Sequence, residues 1–267
     1  MKKIIFALLI ASCSLFANSL AQIKEKGLIR IGVDGSLPPL SISEDGRYSG
    51  FEISLIEELV KEIFGDKGGK IEYVVTLGND RITAVQDNKV DLDIAAITVT
   101  KEREKLVDFS NPYFSVNIGV LTRSDDNIKT ISDLQDKEIL AEPGTTAFDY
   151  FNKEGFKVIS CASSSECFRA LKSGRGSGYA DDNMVVLGYS VVDRKVEVNI
   201  KNLGTTDFLA IAVQKGNDDL LNALNDGLVK LSKNGFFKKI FNDSIDPFYK
   251  GKAEKKYFLL DDLYKMF

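Results

Sequence analysis

The chain has 267 residues, 44% of them hydrophobic and 28% charged, which is the composition of a globular protein rather than a disordered or fibrous one. It contains no histidine, which removes the commonest general base, the Ser-His and Cys-His nucleophile pairs and the usual imidazole metal ligands. With 35 Lys+Arg against 39 Asp+Glu, a formal net charge of -4 and no basic run to follow a phosphate backbone, it is not expected to bind nucleic acid.

Met1-Lys2-Lys3, followed by an apolar stretch from Ile4 to Ala17 broken only by Ser12, Cys13 and Ser14, reads as a secretory signal over residues 1–21. At roughly 14 residues the run is shorter than the about 20 that a spanning helix needs, so the exported protein is expected to leave the bilayer. Two processing sites compete. Ser19-Leu20-Ala21 offers small residues for ordinary cleavage before Gln22, which is the preferred reading; Ile10-Ala11-Ser12-Cys13 resembles a lipobox that would anchor the chain through an acylated Cys13.

From Leu28 onward, short apolar runs alternate with helical patterns. Leu28 to Val33 is a predicted strand, and Ile56, Leu59, Val60 and Ile63 recur at helical spacing within Glu52 to Phe64, stopped by Gly65-Asp66-Lys67-Gly68-Gly69. A strand is expected over Ile71 to Leu77, a helix capped by Asn79 or Asp80 as far as Asn88, a strand over Asp91 to Val99, and a helix opening at Thr100-Lys101-Glu102-Arg103. The second half repeats the theme: strand Glu138 to Ala141, helix Thr145 to Glu154, strand Lys157 to Cys161, helix Ser165 to Lys172 and strand Ser177 to Ala180. Such alternation predicts an α/β protein with largely parallel sheets and ligands at the carboxyl ends of the strands.

Val116 to Thr122 and Phe208 to Val213 are strand-like segments that bracket the second half, as a chain needs in order to leave one lobe, build another and return. The expected division is therefore a first lobe over 22–118, a second over 119–211, and a return to the first over 212–267 with a C-terminal tail. Asn217 to Ser232 is a strongly periodic helix with Asn217 as its N-cap. The tail after Phe241, with Phe248, Tyr249, Tyr257, Phe258, Tyr264 and Phe267, reads as a strap on the surface of one lobe in preference to a partner-docking segment.

With Cys13 cleaved off or lipidated, Cys161 and Cys167 remain in an exported, oxidising setting. A disulfide between them requires a strand end and the next helix's first turn to come within about 7 Å between Cα atoms; two separate buried thiols are the alternative. Their spacing, with no histidine nearby, argues against a metal site.

The most informative stretch runs from Asp93 to Arg103. Ala96 and Thr98 lie near a strand end, and Arg103 lies where a helix start would favour an anion; a guanidinium fork with a nearby hydroxyl can grip one carboxylate. Gly144-Thr145-Thr146 is a second anion-ready turn, which taken alone is most often a helix cap. Asp182, after the strand ending at Ala180, can receive a cationic group. A carboxylate grip in one lobe and an acid in the other suggest a zwitterion held between them, and an α-amino acid is the natural candidate.

This order of parts resembles the bacterial extracellular solute-binding proteins of family 3, the periplasmic amino-acid receptors of ABC transporters. The resemblance extends to about Asn242 through Gly50-Phe51-Glu52-Ile53, Asp91-Leu92-Asp93-Ile94, Thr98-Val99-Thr100-Lys101-Glu102-Arg103, Val107-Asp108-Phe109-Ser110-Asn111-Pro112-Tyr113, Gly144-Thr145-Thr146 and Asp182. It implies the two-lobed periplasmic-binding fold of type II with two hinge crossings, a periplasmic location, no cofactor, no reaction, and delivery of a polar L-amino acid to an inner-membrane permease by a monomer. It assigns the ligand α-carboxylate to Arg103, Thr98, the Ala96 backbone and the Thr145-Thr146 turn, and the α-amino group to Asp182. It makes Phe51 an aromatic wall, puts Leu37 where many members carry an aromatic, and offers Arg81 and Glu142 as groups at the ligand's side-chain end. Arg81 also reads as a rim salt bridge, and an Arg81–Glu142 pair would cancel the preference that a free Glu142 gives to a donor-bearing ligand.

Two rivals remain at this level. The family's scaffold is shared by periplasmic cyclohexadienyl dehydratases, for which Glu142 is the only candidate acid, and a surface interaction protein would use the aromatic tail instead of the pocket.

Overall fold

The structure is a computed structural model that describes residues 18–255. The leader with Cys13, and the tail aromatics Tyr257, Phe258, Tyr264 and Phe267, lie outside the described residues.

In the first lobe, α1 (Leu20–Lys26) leads into β1 (Leu28–Val33), a small antiparallel sheet of β2 (Ser36–Leu37), β3 (Ser41–Glu44) and β4 (Arg47–Ser49), then α2 (Phe51–Phe64), β5 (Lys70–Val75), α3 (Asp80–Gln86), β6 (Leu92–Asp93) and β7 (Val107–Phe109). The chain crosses on β8 (Phe114–Arg123) and builds β9 (Glu138–Ala141), α4 (Thr146–Lys153), β10 (Lys157–Ser160), α5 (Ser164–Lys172), β11 (Gly178–Asp182) and α6 (Asn183–Val192). It returns on β12 (Val196–Leu209) to β13 (Ala212–Gln214), followed by α7 (Asp218–Lys233), α8 (Phe236–Ile240) and α9 (Asp246–Tyr249).

Two five-stranded sheets result, ordered β5-β1-β6-β13-β7 and β10-β9-β11-β8-β12. In each, four strands share one direction and the fifth is reversed: β13 in the first sheet, β8 in the second. The reversed strand is in both cases the one that arrives from the other lobe, so the sheets are mixed for the same reason that the chain has two crossings. Those crossings lie side by side, with Phe114 opposite Leu209 in an antiparallel ladder.

The core follows the sequence periods. Ile29, Ile31 and Val33 of β1 are fully buried, as a strand covered on both faces requires. On α7 the buried positions Leu220, Leu224, Gly227, Leu228 and Leu231 fall on one helical face. Gly227 lets α2 come close, since a Cβ there would lie 2.6 Å from Leu59 Cδ2.

Several expectations are corrected. The strand predicted over Asp91 to Val99 is a strand only at Leu92–Asp93, because Ala96 has φ 50° and turns the chain out of the sheet, after which Thr98 makes one isolated bridge to Leu209. The helix expected at Thr100-Lys101-Glu102-Arg103 is a single 3₁₀ turn at Arg103–Lys105, since β7 must begin at Val107 to meet β13. Arg103 therefore owes nothing to a helix dipole. Asn217 flanks α7 without a side-chain cap bond. The sequence reading missed α6, which is apolar nearly all round and so shows no amphipathic period, and the small β2-β3-β4 sheet.

At the N-terminus, Ser19 and Gln22 form a capping box on α1 and Ile23 is fully buried. The cut expected before Gln22 falls inside this helix.

Asp91, 1% exposed, accepts from the Arg30 backbone N–H (2.8 Å), from Arg30 Nη2 (2.6 Å) and from Asn18 Nδ2 (2.8 Å), tying α1 and β1 to the segment leading into β6. Replacing it by alanine leaves the partly exposed guanidinium only its bonds to Asn88 and removes the anion that faces it. The expected outcome for Asp91→Ala is a loss of about 2–4 kcal/mol, read as a lower urea midpoint with an unchanged m-value.

Candidate ligand site between the two sheets

The site is built from strand ends. Asp34 follows β1, Ala96 and Thr98 follow β6, Glu142 follows β9, and Asp181 and Asp182 close β11. Together with Leu37, Arg81, Arg103, Thr145, Thr146 and Ser164 they line one cavity between the lobes. Every site residue expected from the sequence is there except Phe51.

Phe51 is 2% exposed and packs against Tyr113, Phe114 and Phe237, with ring centroids 6.1, 5.7 and 6.4 Å away. It belongs to the core of the first lobe because it opens α2 on that helix's buried face. Asp34 and Ser164 were not singled out from the sequence. The available signal was position: Asp34 directly follows β1, and Ser164 opens α5.

Arg81 is buried at the start of α3. Its Nε donates to Gly78 O (2.9 Å), its Nη1 to Ala95 O (2.9 Å) and Ala96 O (3.2 Å), and its Nη2 to Gly144 O (3.4 Å). Arg103 donates through Nη1 to Thr98 O (2.6 Å) and through Nη2 to Gly144 O (2.8 Å). Both guanidinium groups of the first lobe thus reach one carbonyl of the second. Burial, and then the neighbouring charge of Arg81, lower the Arg103 pKa to about 10, which leaves it cationic at neutral pH.

Arg81 forms no ion pair with Glu142, so the rim salt bridge is not made. Glu142 is 4% exposed and its Oε1 is buried without a hydrogen-bond partner. Burial pushes its pKa up to about 8 against the pull of Arg81. Burial also raises Asp34, whose Oδ1 accepts from the Ser36 backbone N–H (2.9 Å) and from its hydroxyl. In Asp182 burial and then the adjacent Asp181 raise the pKa, opposed by Arg81 and Arg103.

Asp181 is held rather than offered. It accepts from Ser164 Oγ (3.0 Å), the Tyr179 hydroxyl and the Asp182 N–H (2.8 Å). Ser164 is presented by the loop that the Cys161–Cys167 disulfide closes, with Cα atoms 5.4 Å apart, so the bridged alternative is the one the structure contains. The Thr145 hydroxyl is occupied as the α4 cap, accepting from Phe148 N–H (3.1 Å) and donating to Glu142 O (2.8 Å). The open space among these groups is about 10 Å³, room for one water, so the site in this closed arrangement holds no larger guest.

Chemically, the site offers a guanidinium from one lobe, a carboxyl from the other and an unused acceptor at Glu142. Among the described residues, no group of three or more Cys, Asp or Glu side chains is arranged to hold a metal.

In three buried acids the pKa is raised in the folded state, to about 8 for Glu142 and Glu52 and about 7 for Asp93, with burial as the main cause for each. A raised folded pKa gives stability that is complete below about pH 4 and is lost as pH rises through the folded value. Thermal midpoints are therefore expected to fall between about pH 5 and 8, and the slope to flatten in Glu142→Gln; calorimetry across that range checks both.

The family model for bacterial extracellular solute-binding proteins, family 3, matches residues 29–246. The L-cysteine solute receptor of Neisseria gonorrhoeae superposes with a TM-score of 0.85 at 37% identity, covering 90% of this chain and 98% of that one. The cysteine-binding protein of Campylobacter jejuni follows with 0.84 at 33%, covering 89% and 96%. The ABC transporter glutamine-binding protein of Bacillus subtilis is 30% identical over 237 residues, 86% of each chain. All three carry names of binding rather than of a reaction, and the two solved structures have the type II two-lobed arrangement. With its strand-end site between two lobes and a family match over most of its length, this chain is a member of the bacterial extracellular solute-binding proteins, family 3.

Proposed function

We propose that the chain captures a small polar L-amino acid between its lobes and hands it, as a single copy, to an ABC transporter permease. The observation that carries this reading is that Arg103 and Thr98 of the first lobe and Asp182 of the second line one space, a cation and an acid matched to a zwitterion's two ends. The lobes, 22–118 with the return from 212, and 119–211, close by bending where β8 and β12 run side by side.

The ligand's side chain meets Asp34, Glu142 and Ser164, which suit a short chain with a hydrogen-bond donor. L-Cysteine is the first candidate, supported by the names of the two structural neighbours, and a short uncharged polar side chain such as serine is next. Acidic ligands are disfavoured, since Asp34, Glu142, Asp181 and Asp182 face Arg81 and Arg103 alone in the cavity lining.

Thermal unfolding after refolding from denaturant, against the twenty amino acids and cystine, tests the reading. A ligand at about 1,000 times its Kd is expected to raise the midpoint by roughly 8–16 °C, and Arg103→Ala to abolish the shift. No shift with any of them, or turnover of prephenate or arogenate, overturns it.

Processing at Cys13, with a lipid anchor, is proposed in place of the cut before Gln22. Support comes from α1: its cap residue Ser19 would be lost with the leader, as would Asn18, which bonds Asp91, accepts from Lys26 Nζ (2.7 Å) and accepts from Asn217 Nδ2 (3.1 Å). No helix among the described residues is long and apolar enough to cross a membrane. Intact-mass analysis of the exported protein is expected to give a lipid-modified chain beginning at Cys13; an unmodified chain beginning at Gln22 sinks the proposal.

A further inference from the structure

Glu52 lies in the first turn of α2, where an acid ordinarily faces solvent and complements the helix dipole. Here it is fully buried. Its Oε1 accepts from the Ala96 N–H (2.9 Å) and from the Tyr113 hydroxyl (2.5 Å), while Oε2 is buried without a partner. A carboxyl in such surroundings is costly, and an apolar side chain of the same length would fill the space more cheaply. Packing therefore does not account for an acid at this position.

Its two partners do. Ala96 is held at φ 50°, a region that residues with a Cβ rarely adopt, and its carbonyl with that of Ala95 receives Arg81 Nη1. The turn that presents Ala96 and Thr98 to the cavity thus depends on a fixed acceptor beneath its N–H. Tyr113 directly precedes β8, and its own N–H donates to the carbonyl of Leu209, the last residue of β12 (3.0 Å). It marks the point where the two crossings leave the first lobe. One oxygen atom is therefore shared by the ligand-site turn and the root of the hinge.

We propose that Glu52 is a positioning residue, whose Oε1 holds the Ala96 turn in its ligand-facing conformation and fixes that turn to the hinge through Tyr113. Its consequence for affinity rests on the amino-acid-binding function proposed above; its consequence for the Ala96 turn does not. Lobe closure then finds the turn already shaped, and the strain at Ala96 is borne by a group outside the cavity. Asp93 and Thr76, buried at neighbouring strand ends, lie against Gly32.

The test compares Glu52→Gln, which retains an acceptor at the Oε1 position, with Glu52→Met, which fills the space without one. Kd is measured by calorimetry with L-cysteine and L-glutamine as probes, well below the melting temperature of every variant, and exchange of the Ala96 amide is followed by NMR. Glu52→Met is expected to weaken binding at least tenfold, about 1.4 kcal/mol, and to speed Ala96 exchange, whereas Glu52→Gln stays within about threefold of the parent with the amide protected. A purely structural loss would not be rescued by the amide. Parent-like binding and protection in Glu52→Met overturn the proposal, as does equal weakening in both variants. Should Glu52→Met not fold, Tyr113→Phe takes its place: about two- to fivefold weaker binding supports the tie to the hinge, and unchanged binding and exchange refute it. Should the parent bind neither probe, L-cysteine and L-glutamine are excluded as its ligands while Ala96 exchange in the variants still decides the role of Glu52.

Discussion

Two guanidinium groups of the first lobe, Arg81 and Arg103, converge on a single carbonyl oxygen of the second, that of Gly144. Burial, and then the like charge of Arg81 beside it, depress the Arg103 pKa. The arrangement holds because Arg81 spends its other donors on the carbonyls of Gly78, Ala95 and Ala96, and because acids of the second lobe offset the charge. Gly144 makes the approach possible: it sits at φ 87°, and a Cβ there would lie 2.4 Å from Asn79 Oδ1. A neutral carbonyl is a weaker acceptor than a carboxylate, so a ligand carboxylate can replace it at Arg103 with gain. The closed lobes are thus held by a contact of the kind that a zwitterionic ligand would take over.

The rest of the site is braced around that contact. Arg81 is tied to four backbone oxygens and acts as a brace, while Arg103 holds two, those of Thr98 and Gly144. On the other side Asp181 is tied down by Ser164 and Tyr179, and its N–H bond from Asp182 fixes the backbone from which the Asp182 carboxyl projects. The disulfide that shapes the Ser164 loop supports this wall at one remove. Away from the cavity the lobes also meet where Tyr189 of α6 donates to Ser36 O (3.0 Å), and where Gly188 lies against Pro38 O so closely that a Cβ would fall 2.3 Å from it. The Tyr249 hydroxyl of α9 donates to Met184 O of α6 (2.8 Å), so the C-terminal segment, as far as it is described, lies across both lobes as a strap.

Topology explains why the polar groups meet at all. Strands that share a direction deliver their carboxyl ends to one edge of each sheet, and backbone groups there are released from the ladder just where side chains of the following loops emerge. Because the arriving strand is reversed in both sheets, the crossings β8 and β12 lie adjacent and form a pair of strands rather than a broad interface. That pair joins the two sheets, whose strand-end edges face each other across the cavity.

How much of this was legible in the sequence follows from whether each signal is local. The periodicities of α2 and α7, the alternation of the second half and the ordered blocks around Arg103, Gly144 and Asp182 are properties of short segments, and they determined the two-lobed α/β class, the family and nearly all of the cavity lining. The helix expected to open at Thr100 with Arg103 in its first turn and the wall assigned to Phe51 failed because each depended on a neighbour far along the chain: β13 claims β7 and leaves space for one 3₁₀ turn, and Tyr113, Phe114 and Phe237 draw Phe51 into the core. The left-handed turn at Ala96, the sharing of Gly144 O by two arginines, the unpaired Oε1 of Glu142 and the burial of Glu52 were decided only by tertiary structure. Each is a relation between residues on different elements, and hydrogen bonds, desolvation and charge repulsion act through space, where distance along the chain carries no information.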